Sequence, residues 1–232
     1  FEEVDFFKDL LMHDFNNVLS NIKASTELSL GLLLQPEKTE EIKELIEITI
    51  DQIDRGSKLV KNIHKLSELD KNEITLKKID LCKSLKNIIK YVKNSNQERK
   101  IKIRVDSFTK IVFVQANELI TDVFENILVN AVNYNENPTI EILIRISRHL
   151  IQKKSYVKLE FLDNGIGIQD ERKKIIFQKS NGTSKNSKGM GIGLSLVKKA
   201  VLSYNGQIWV EDKVKGDYSR GSNFVLLIPQ TV

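Results

Sequence analysis

The sequence predicts an α+β protein in which a helical hairpin precedes an α/β sandwich. First, residues 4–34 lack proline and have no glycine before Gly31, and their apolar residues recur every three to four positions, as in a long amphipathic helix. Second, strand-like and helix-like patterns alternate after a polar run at residues 70–73. Third, glycine-rich turns occupy residues 163–168 and 189–194. Together these observations favour two structural units in one chain.

The first unit is predicted to be a pair of long helices, at residues 4–34 and 37–69, joined by a turn near Pro36. The apolar stripe of the first helix consists of Phe7, Leu11, Phe15, Val18 and Ile22. The second helix carries a heptad-like series made of Ile42, Ile46, Ile53, Val60 and Ile63. Because two helices cannot bury both stripes by themselves, we expect the hairpin to form a homodimer, as a four-helix bundle.

The second unit is predicted to fold as helices on one face of a mixed sheet, an α/β sandwich. Its helices are expected at residues 81–93, 118–134 and 194–203. Its strands are expected at residues 76–80, 101–106, 111–115, 139–147, 156–162, 207–212 and 223–228. Asn205-Gly206 supplies the turn into the hairpin of the last two strands. The domain boundary lies in the polar run, so residues 1–70 form the helical domain and residues 71–232 the sandwich domain.

Composition limits the classes of protein to consider. With 232 residues, 41% of them hydrophobic and 29% charged, the chain is long enough to bury a core. A single cysteine, Cys82, excludes an intramolecular disulfide and is typical of a reducing compartment. The net charge of +5 comes from dispersed lysines, so a solvated surface explains it better than a nucleic-acid groove, and we expect no nucleic-acid partner.

The apolar runs of the sequence are too short to span a bilayer, and no signal peptide is visible. We therefore expect a cytoplasmic fragment without direct membrane contact, and any sensor or membrane anchor is expected to precede Phe1. The three histidines and Cys82 lack the spacing of metal ligands.

The helix predicted at residues 118–134 carries two asparagines, Asn126 and Asn130, which lie one turn apart on one face. One amide can hold a metal and the other a water. An amide oxygen is a neutral hard ligand suited to Mg²⁺, which keeps several waters and bridges phosphates. The alternative is a pair of ordinary surface asparagines.

An acidic turn follows the strand predicted at residues 156–162. Its carboxylate, Asp163, precedes Gly165 and Gly167, which allow positive φ and a close approach of the backbone to a ligand. A carboxylate at this point can accept a hydrogen bond from an adenine amine. Asp-Asn-Gly is also a common turn sequence, and that alternative stays open at this stage.

The second glycine cluster opens a helix. Gly189, Gly191 and Gly193 lead directly into the helix that begins at Leu194, whose free amides suit a phosphate. Residues 178–188 contain no apolar side chain, so we expect a mobile lid there. Lys185 or Lys188 is expected to reach a phosphate when the lid closes.

These elements, in this order, resemble the ATP-binding domain of the family shared by sensor histidine kinases, type II topoisomerases, Hsp90 chaperones and mismatch-repair ATPases. The resemblance spans about residues 80–229 and implies a Bergerat-type ATP fold with ATP and Mg²⁺ as cofactors. It makes Asn130 the Mg²⁺ ligand and Asp163 the carboxylate that binds adenine, and it places Gly189 to Gly193 in the second glycine box and Phe177 in the F box. The residues expected to bind nucleotide also include Asn126, Tyr134 and Leu194. Asn126 stands where the topoisomerase and chaperone branches usually have a catalytic glutamate, which favours the kinase branch.

The segment Met12-His-Asp-Phe-Asn-Asn-Val-Leu19 resembles the phosphoacceptor box of histidine kinases. His13 points away from the apolar stripe of its helix, so it is predicted to be exposed. The resemblance implies that His13 accepts the phosphoryl group, that Asp14 orients the ring and takes up its proton, and that Asn17 orients water for dephosphorylating a regulator. Val18 replaces a proline that is often found there, so this helix is expected to be straighter. By itself, His13 is also consistent with an ordinary surface histidine.

The sequence therefore predicts a dimeric histidine kinase core that phosphorylates His13 with Mg-ATP and passes the phosphoryl group to an aspartate of a response-regulator receiver domain. One alternative is an ATP-driven conformational machine of the topoisomerase or chaperone kind. The other is a degenerate kinase that serves as a dimeric scaffold. The exposed His13 and the asparagine at position 126 argue against the first alternative, and the intact Asn130, Asp163 and glycine boxes argue against the second.

Overall fold

The computed structural model describes residues 2–71, 75–177 and 192–231, with the backbone alone at residues 2–11 and 70–71. The helices are α1 (Glu2–Leu32), α2 (Thr39–Lys71), α3 (Leu81–Asn94), α4 (Ile120–Asn133), α5 (Asp170–Lys173) and α6 (Ile192–Ser203), and a 3₁₀ turn spans Pro36–Lys38. The strands are β1 (Lys77–Asp80), β2 (Lys100–Ser107), β3 (Phe113–Ala116), β4 (Thr139–Ile151), β5 (Lys154–Leu162), β6 (Gln207–Val214) and β7 (Asp217–Pro229).

The chain divides into two compact units. The helical unit, with α1 and most of α2, ends at Ser67, and the second unit begins at Glu68. The boundary predicted after residue 70 stays a prediction, because residues 72–74 lie outside the described part of the chain.

The helical unit has a partly polar seam between α1 and α2. Ser25 Oγ and Thr49 Oγ1 lie 2.7 Å apart across it, and Asn21 Nδ2 donates to Gln52 Oε1 at 3.5 Å. Gly56 permits close packing nearby, since a Cβ at that position would lie 3.3 Å from a methyl carbon of Val18. The face of α2 that meets α1 therefore contains small and polar side chains.

Three of the five heptad-like residues of α2 lie on a different side of that helix. Ile46, Ile53 and Val60 are 49%, 50% and 54% exposed, whereas Gln52 and Leu59 are buried. The predicted series is thus divided in this unit: Ile42 and Ile63 are half-buried, and the other three face away from the seam.

The second unit is built on a five-stranded sheet with the order β2-β4-β5-β7-β6. Strand β2 pairs with β4 in parallel, and the other neighbours in this sheet are antiparallel. Strands β1 and β3 do not join it but form a separate antiparallel pair. The predicted mixed sheet is confirmed. The prediction is corrected in one respect, because β1 and β3 form their own two-stranded sheet.

One face of the sheet packs against helices. The alternate residues Ile140, Ile142, Ile144 and Ile146 of β4 are buried, as the period of two in a strand requires. They share a single apolar core with the buried faces of α3, α4 and α6. Helix α3 begins where the Asp80 carboxylate accepts hydrogen bonds from two backbone amides of its first turn. The predicted α+β class is confirmed. The observed elements match the predicted ones within a few residues except at β4 and β7, which are longer, and at the short helix α5, which was not predicted.

Candidate functional site

Helix α4 positions the two predicted asparagines. It buries an apolar face that includes Phe124 and Leu128, and this packing fixes the directions in which Asn126 and Asn130 project. Asn126 is buried, and its Nδ2 donates to the carbonyl of Asp122 at 2.8 Å. Asn130, one turn later, is half-buried.

The start of α6 lies directly against Asn126. A Cβ added at Gly193 would overlap the Oδ1 atom of Asn126. Glycine at this position lets the backbone of α6 come this close to the Asn126 amide without moving it. The contact brings the first turn of α6, with its backbone amides, beside the asparagine helix.

Asp163 directly follows the last residue of β5 and is buried, only 5% exposed. Its Oδ1 accepts hydrogen bonds from the backbone N–H of Gly165 at 2.7 Å and of Ser222 at 3.2 Å. Burial raises the pKa of the Asp163 carboxyl above its ordinary value, and the two amides and Lys213 oppose that rise. Among the described residues both of these bonds go to Oδ1, so Oδ2 can accept a hydrogen bond from a ligand.

The turn after Asp163 is hydrogen-bonded to Tyr134, the C-cap residue of α4. The N–H of Ile166 donates to the carbonyl of Tyr134 at 3.1 Å, and a Cβ at Gly165 would lie 2.5 Å from that oxygen. Gly167 has φ +72°, and a Cβ there would overlap the carbonyl of Tyr218. Both glycines are thus required by backbone packing of this turn.

Two amide side chains at this turn were missed by the sequence reasoning. Asn135 is 2% exposed, and its Nδ2 donates to Asn164 Oδ1 at 2.8 Å. The sequence signals for them were the density of asparagine at residues 133–137, which was not interpreted, and the middle residue of Asp-Asn-Gly, which is also a common turn sequence.

The remaining predicted nucleotide residues divide into two groups. Phe177 is buried in the core, edge-on to Phe224 with ring centroids 6.1 Å apart, and Leu194 is half-buried against the same core. The others, Lys185, Lys188, Gly189 and Gly191, lie outside the described residues.

In the helical unit, α1 brings the predicted acceptor residues together. The His13 side chain is 59% exposed, as predicted, and its Nδ1 lies 3.3 Å from Asp14 Oδ1. The Nδ2 atom of Asn17, one turn later, lies 3.3 Å from Nδ1 and 3.5 Å from Nε2 of the ring. The carboxylate can hold the proton on Nδ1, which leaves the lone pair of Nε2 as the nucleophile.

Within the described residues, no helix is both long and apolar enough to cross a membrane. Nor do those residues contain a cluster of three or more His, Cys, Asp or Glu side chains arranged to hold a metal ion. An amide such as that of Asn130 can hold a metal ion together with oxygens of a bound ligand.

Sequence similarity to curated proteins extends over most of this chain. Cyanobacterial phytochrome B from Nostoc sp. is 27% identical over 231 residues, which are 96% of this chain and 29% of the relative. The sensor histidine kinase HprS from Escherichia coli is 26% identical over 202 residues, which are 85% of this chain and 42% of HprS. The chain thus spans less than half the length of these curated relatives.

A solved structure shows the same fold. The histidine kinase ThkA, in complex with response regulator protein TrrA, matches with a TM-score of 0.72 at 18% identity, over 99% of this chain and 64% of that one. The likeness extends through the helical unit as well as the sandwich. The expected resemblance to the catalytic core of sensor histidine kinases is confirmed.

Residues 115–232 match the family described as histidine kinase-, DNA gyrase B-, and HSP90-like ATPases. This range contains α4, Asp163 and the start of α6, the elements that form the candidate nucleotide site. ATP, the predicted ligand, is consistent with an ATPase family. The chain therefore belongs to the family of histidine kinase-, DNA gyrase B- and HSP90-like ATPases.

Proposed function

We propose that this chain is the catalytic core of a two-component sensor histidine kinase. The observation that carries the proposal is the exposed turn of His13, Asp14 and Asn17 in the same chain as an ATPase-family domain. A conformational ATPase has no need for an exposed histidine with a carboxylate and an amide on its ring. The named relatives that match both units include sensor histidine kinases.

ATP is proposed to bind between α4 and the turn after β5. The Oδ2 atom of Asp163 accepts a hydrogen bond from the adenine amine, and the amides at the start of α6 face the phosphates. Asn130 fits Mg²⁺, because a neutral amide oxygen can complete a shell made mostly of phosphate oxygens and water. When bound, Mg²⁺ neutralises phosphate charge during transfer. Lys185, Lys188, Gly189 and Gly191 stay predicted phosphate contacts.

The proposed reaction transfers the γ-phosphoryl group to His13. The lone pair of Nε2 attacks the γ-phosphorus, the bond from that phosphorus to the β,γ-bridging oxygen breaks, and ADP leaves with the electron pair. The ring gains positive charge as the N–P bond forms. Asp14 stabilises that charge through Nδ1–H and then takes up the proton.

The phosphoryl group is next proposed to move to an aspartate of a response-regulator receiver domain. The solved ThkA structure contains a response regulator, and nearly the whole length of the present chain matches part of that kinase. Asn17 is the candidate group for orienting water against the regulator's phosphoaspartate. In this structure its amide lies against the His13 ring, so it must turn away from the ring to perform that role.

The helical unit is proposed to form a homodimer. Ile46, Ile53 and Val60 recur at heptad spacing and are about half exposed on the side of α2 away from the seam. A second copy would cover this stripe and complete a four-helix bundle. Residues 1–70 then form the dimerisation and phosphoacceptor domain, residues 71–232 form the ATP-binding domain, and both are proposed to lie in the cytoplasm.

Incubation of the chain with γ-labelled Mg-ATP tests the proposal. We expect a protein-bound label that is labile in acid, as a phosphoramidate is. The substitution His13→Gln should abolish this label while ATP binding persists. Release of inorganic phosphate without a bound label would instead indicate a conformational ATPase. ATP binding without label or phosphate release would indicate a scaffold.

A further inference from the structure

Asn164, the residue after Asp163, has a side chain that is held at both ends. Its Oδ1 accepts hydrogen bonds from Asn135 Nδ2 at 2.8 Å and from the backbone N–H of Glu141 at 2.8 Å. Its Nδ2 donates to the carbonyl of Thr139 at 3.0 Å. The amide therefore ties the turn that carries Asp163 to the first residues of β4.

Asn135 is held in the same way. Besides its bond to Asn164, its Oδ1 accepts from the backbone N–H of Asn137 at 3.0 Å and from the side-chain amide of Asn137 at 3.1 Å. Its carbonyl accepts from Arg99 Nη2 at 2.7 Å. A side chain that is 2% exposed and bonded at both its oxygen and its nitrogen has one orientation available to it.

The bond between these two amides joins the two halves of the candidate nucleotide site. Asn135 follows Tyr134, the C-cap of the helix that carries Asn130, and Asn164 follows the carboxylate proposed to bind adenine. A second link runs in parallel, from Ile166 N–H to the Tyr134 carbonyl at 3.1 Å. The distance between the metal-side helix and the base-side carboxylate thus depends on a short set of hydrogen bonds.

We propose that Asn135 and Asn164 are positioning residues that set the selectivity of the site for adenine over guanine. This inference rests on the proposed function, because it assumes that Asp163 faces the base. Adenine presents an amine donor where guanine presents a carbonyl oxygen. A carboxylate held at a fixed position attracts the first base and repels the second, whereas a carboxylate on a loosened turn can move away from guanine and discriminates less.

The test uses the full chain and measures the dissociation constants of Mg-ATP and Mg-GTP by calorimetry. For Asn135→Ala and Asn164→Ala we expect ATP affinity to fall about tenfold with GTP affinity little changed, so the selectivity ratio also falls about tenfold. The double variant should lose less than the sum of the two single variants, because both substitutions remove the hydrogen bond that Asn135 and Asn164 share. Asn133→Ala, at an exposed position of the same segment, is the matched control and should keep the parent ratio.

Thermal unfolding of each variant separates loss of fold from loss of selectivity, since a change in stability alone would weaken both nucleotides equally. If Asn135→Ala does not fold, Asn135→Ser, which retains a short hydroxyl, takes its place. A parent-like ratio in folded variants of both positions would overturn the inference. A parent protein that binds neither nucleotide would instead contradict the proposed function.

Discussion

Gly193 and Asn126 are in direct contact, although 67 positions separate their numbers in the chain, and the amide oxygen of Asn126 occupies the space that a Cβ at Gly193 would need. The contact fixes how closely the first turn of α6 approaches α4. Any side chain at residue 193 must push the two helices apart or displace the Asn126 amide from its bond to Asp122.

Gly193→Ala is therefore expected to destabilise the second unit by about 1–3 kcal/mol, the usual cost of overpacking, and to weaken ATP binding. Urea denaturation and an ATP titration measure the two effects. Gly31→Ala is the matched control, because nothing lies within 4 Å of a Cβ at that helical position. Adding Asn126→Ala should restore part of the lost stability by removing the atom that clashes. Unchanged stability of Gly193→Ala alone would contradict the contact.

Asp163→Asn is expected to separate stability from ligand binding. The amide oxygen can keep both backbone hydrogen bonds at the Oδ1 position, while the amide nitrogen replaces Oδ2 and presents a donor to the adenine amine. The mismatch costs about 1–3 kcal/mol, so ATP should bind at least about tenfold more weakly. Calorimetry provides this measurement, and an unchanged affinity would show that adenine is bound elsewhere.

The raised pKa of Asp163 gives a pH dependence with a defined sign. Since burial raises the folded-state pKa above the unfolded one, the ionised carboxylate disfavours the folded state above that pKa, and this penalty disappears as pH falls through it. ATP affinity should change in the opposite direction, because protonation removes the acceptor. Relative to the parent, Asp163→Asn should thus be at least as stable near neutral pH and should show a flatter profile of ATP affinity against pH in the acidic range. Parallel profiles would exclude titration of this carboxyl as the cause.

Substitutions in the turn of α1 that carries His13 should separate self-phosphorylation from dephosphorylation of the regulator. Asp14→Asn is expected to slow self-phosphorylation by about 10²-fold, the lower end of what a positioned acid-base group supplies, with ATP affinity little changed. Asn17→Ala should still self-phosphorylate but should dephosphorylate a labelled receiver domain more slowly. The readouts are incorporation of label at His13 and loss of label from the regulator in the presence of ADP. If Asn17→Ala dephosphorylates the regulator as fast as the parent, Asn17 does not position the water.

Ile53→Lys should weaken the proposed homodimer, because it places a charge in the middle of the exposed heptad stripe of α2. Light scattering at micromolar concentration is expected to show a dimer for the parent and a shift toward monomer for the variant. Glu47→Lys places the same side chain at an exposed polar position of α2 and should leave the dimer intact. A monomeric parent protein would count against the four-helix bundle.

The sequence was sufficient to predict the features that depend on local pattern. The spacing of apolar residues located α1, α3 and α4, and the glycines around Asp163 marked a turn in which the backbone packs closely. The exposure of His13 followed from the periodicity of its helix. In each case the information lies within one or two turns of the chain.

Features that depend on which segments meet in space were not predictable in the same way. Asn135 and Asn164 are 29 positions apart, and each alone has the sequence signature of a turn. The heptad series of α2 did not reveal that Gln52 faces α1 while Ile53 faces outward, because a stripe of apolar residues does not specify which partner covers it. The separate pairing of β1 with β3 likewise depends on sheet topology rather than on strand propensity.

The parallel pairing of β2 with β4 has a mechanical consequence for α4. These strands are neighbours in the sheet, and β3 and α4 both lie in the connection between them. Helix α4 follows β3 and leads directly into β4, so sliding it toward or away from β4 would strain the register that sets Ile101 opposite Ile140. We therefore expect the asparagine helix to keep its position when a nucleotide binds, since its displacement would disturb the pairing of β2 with β4.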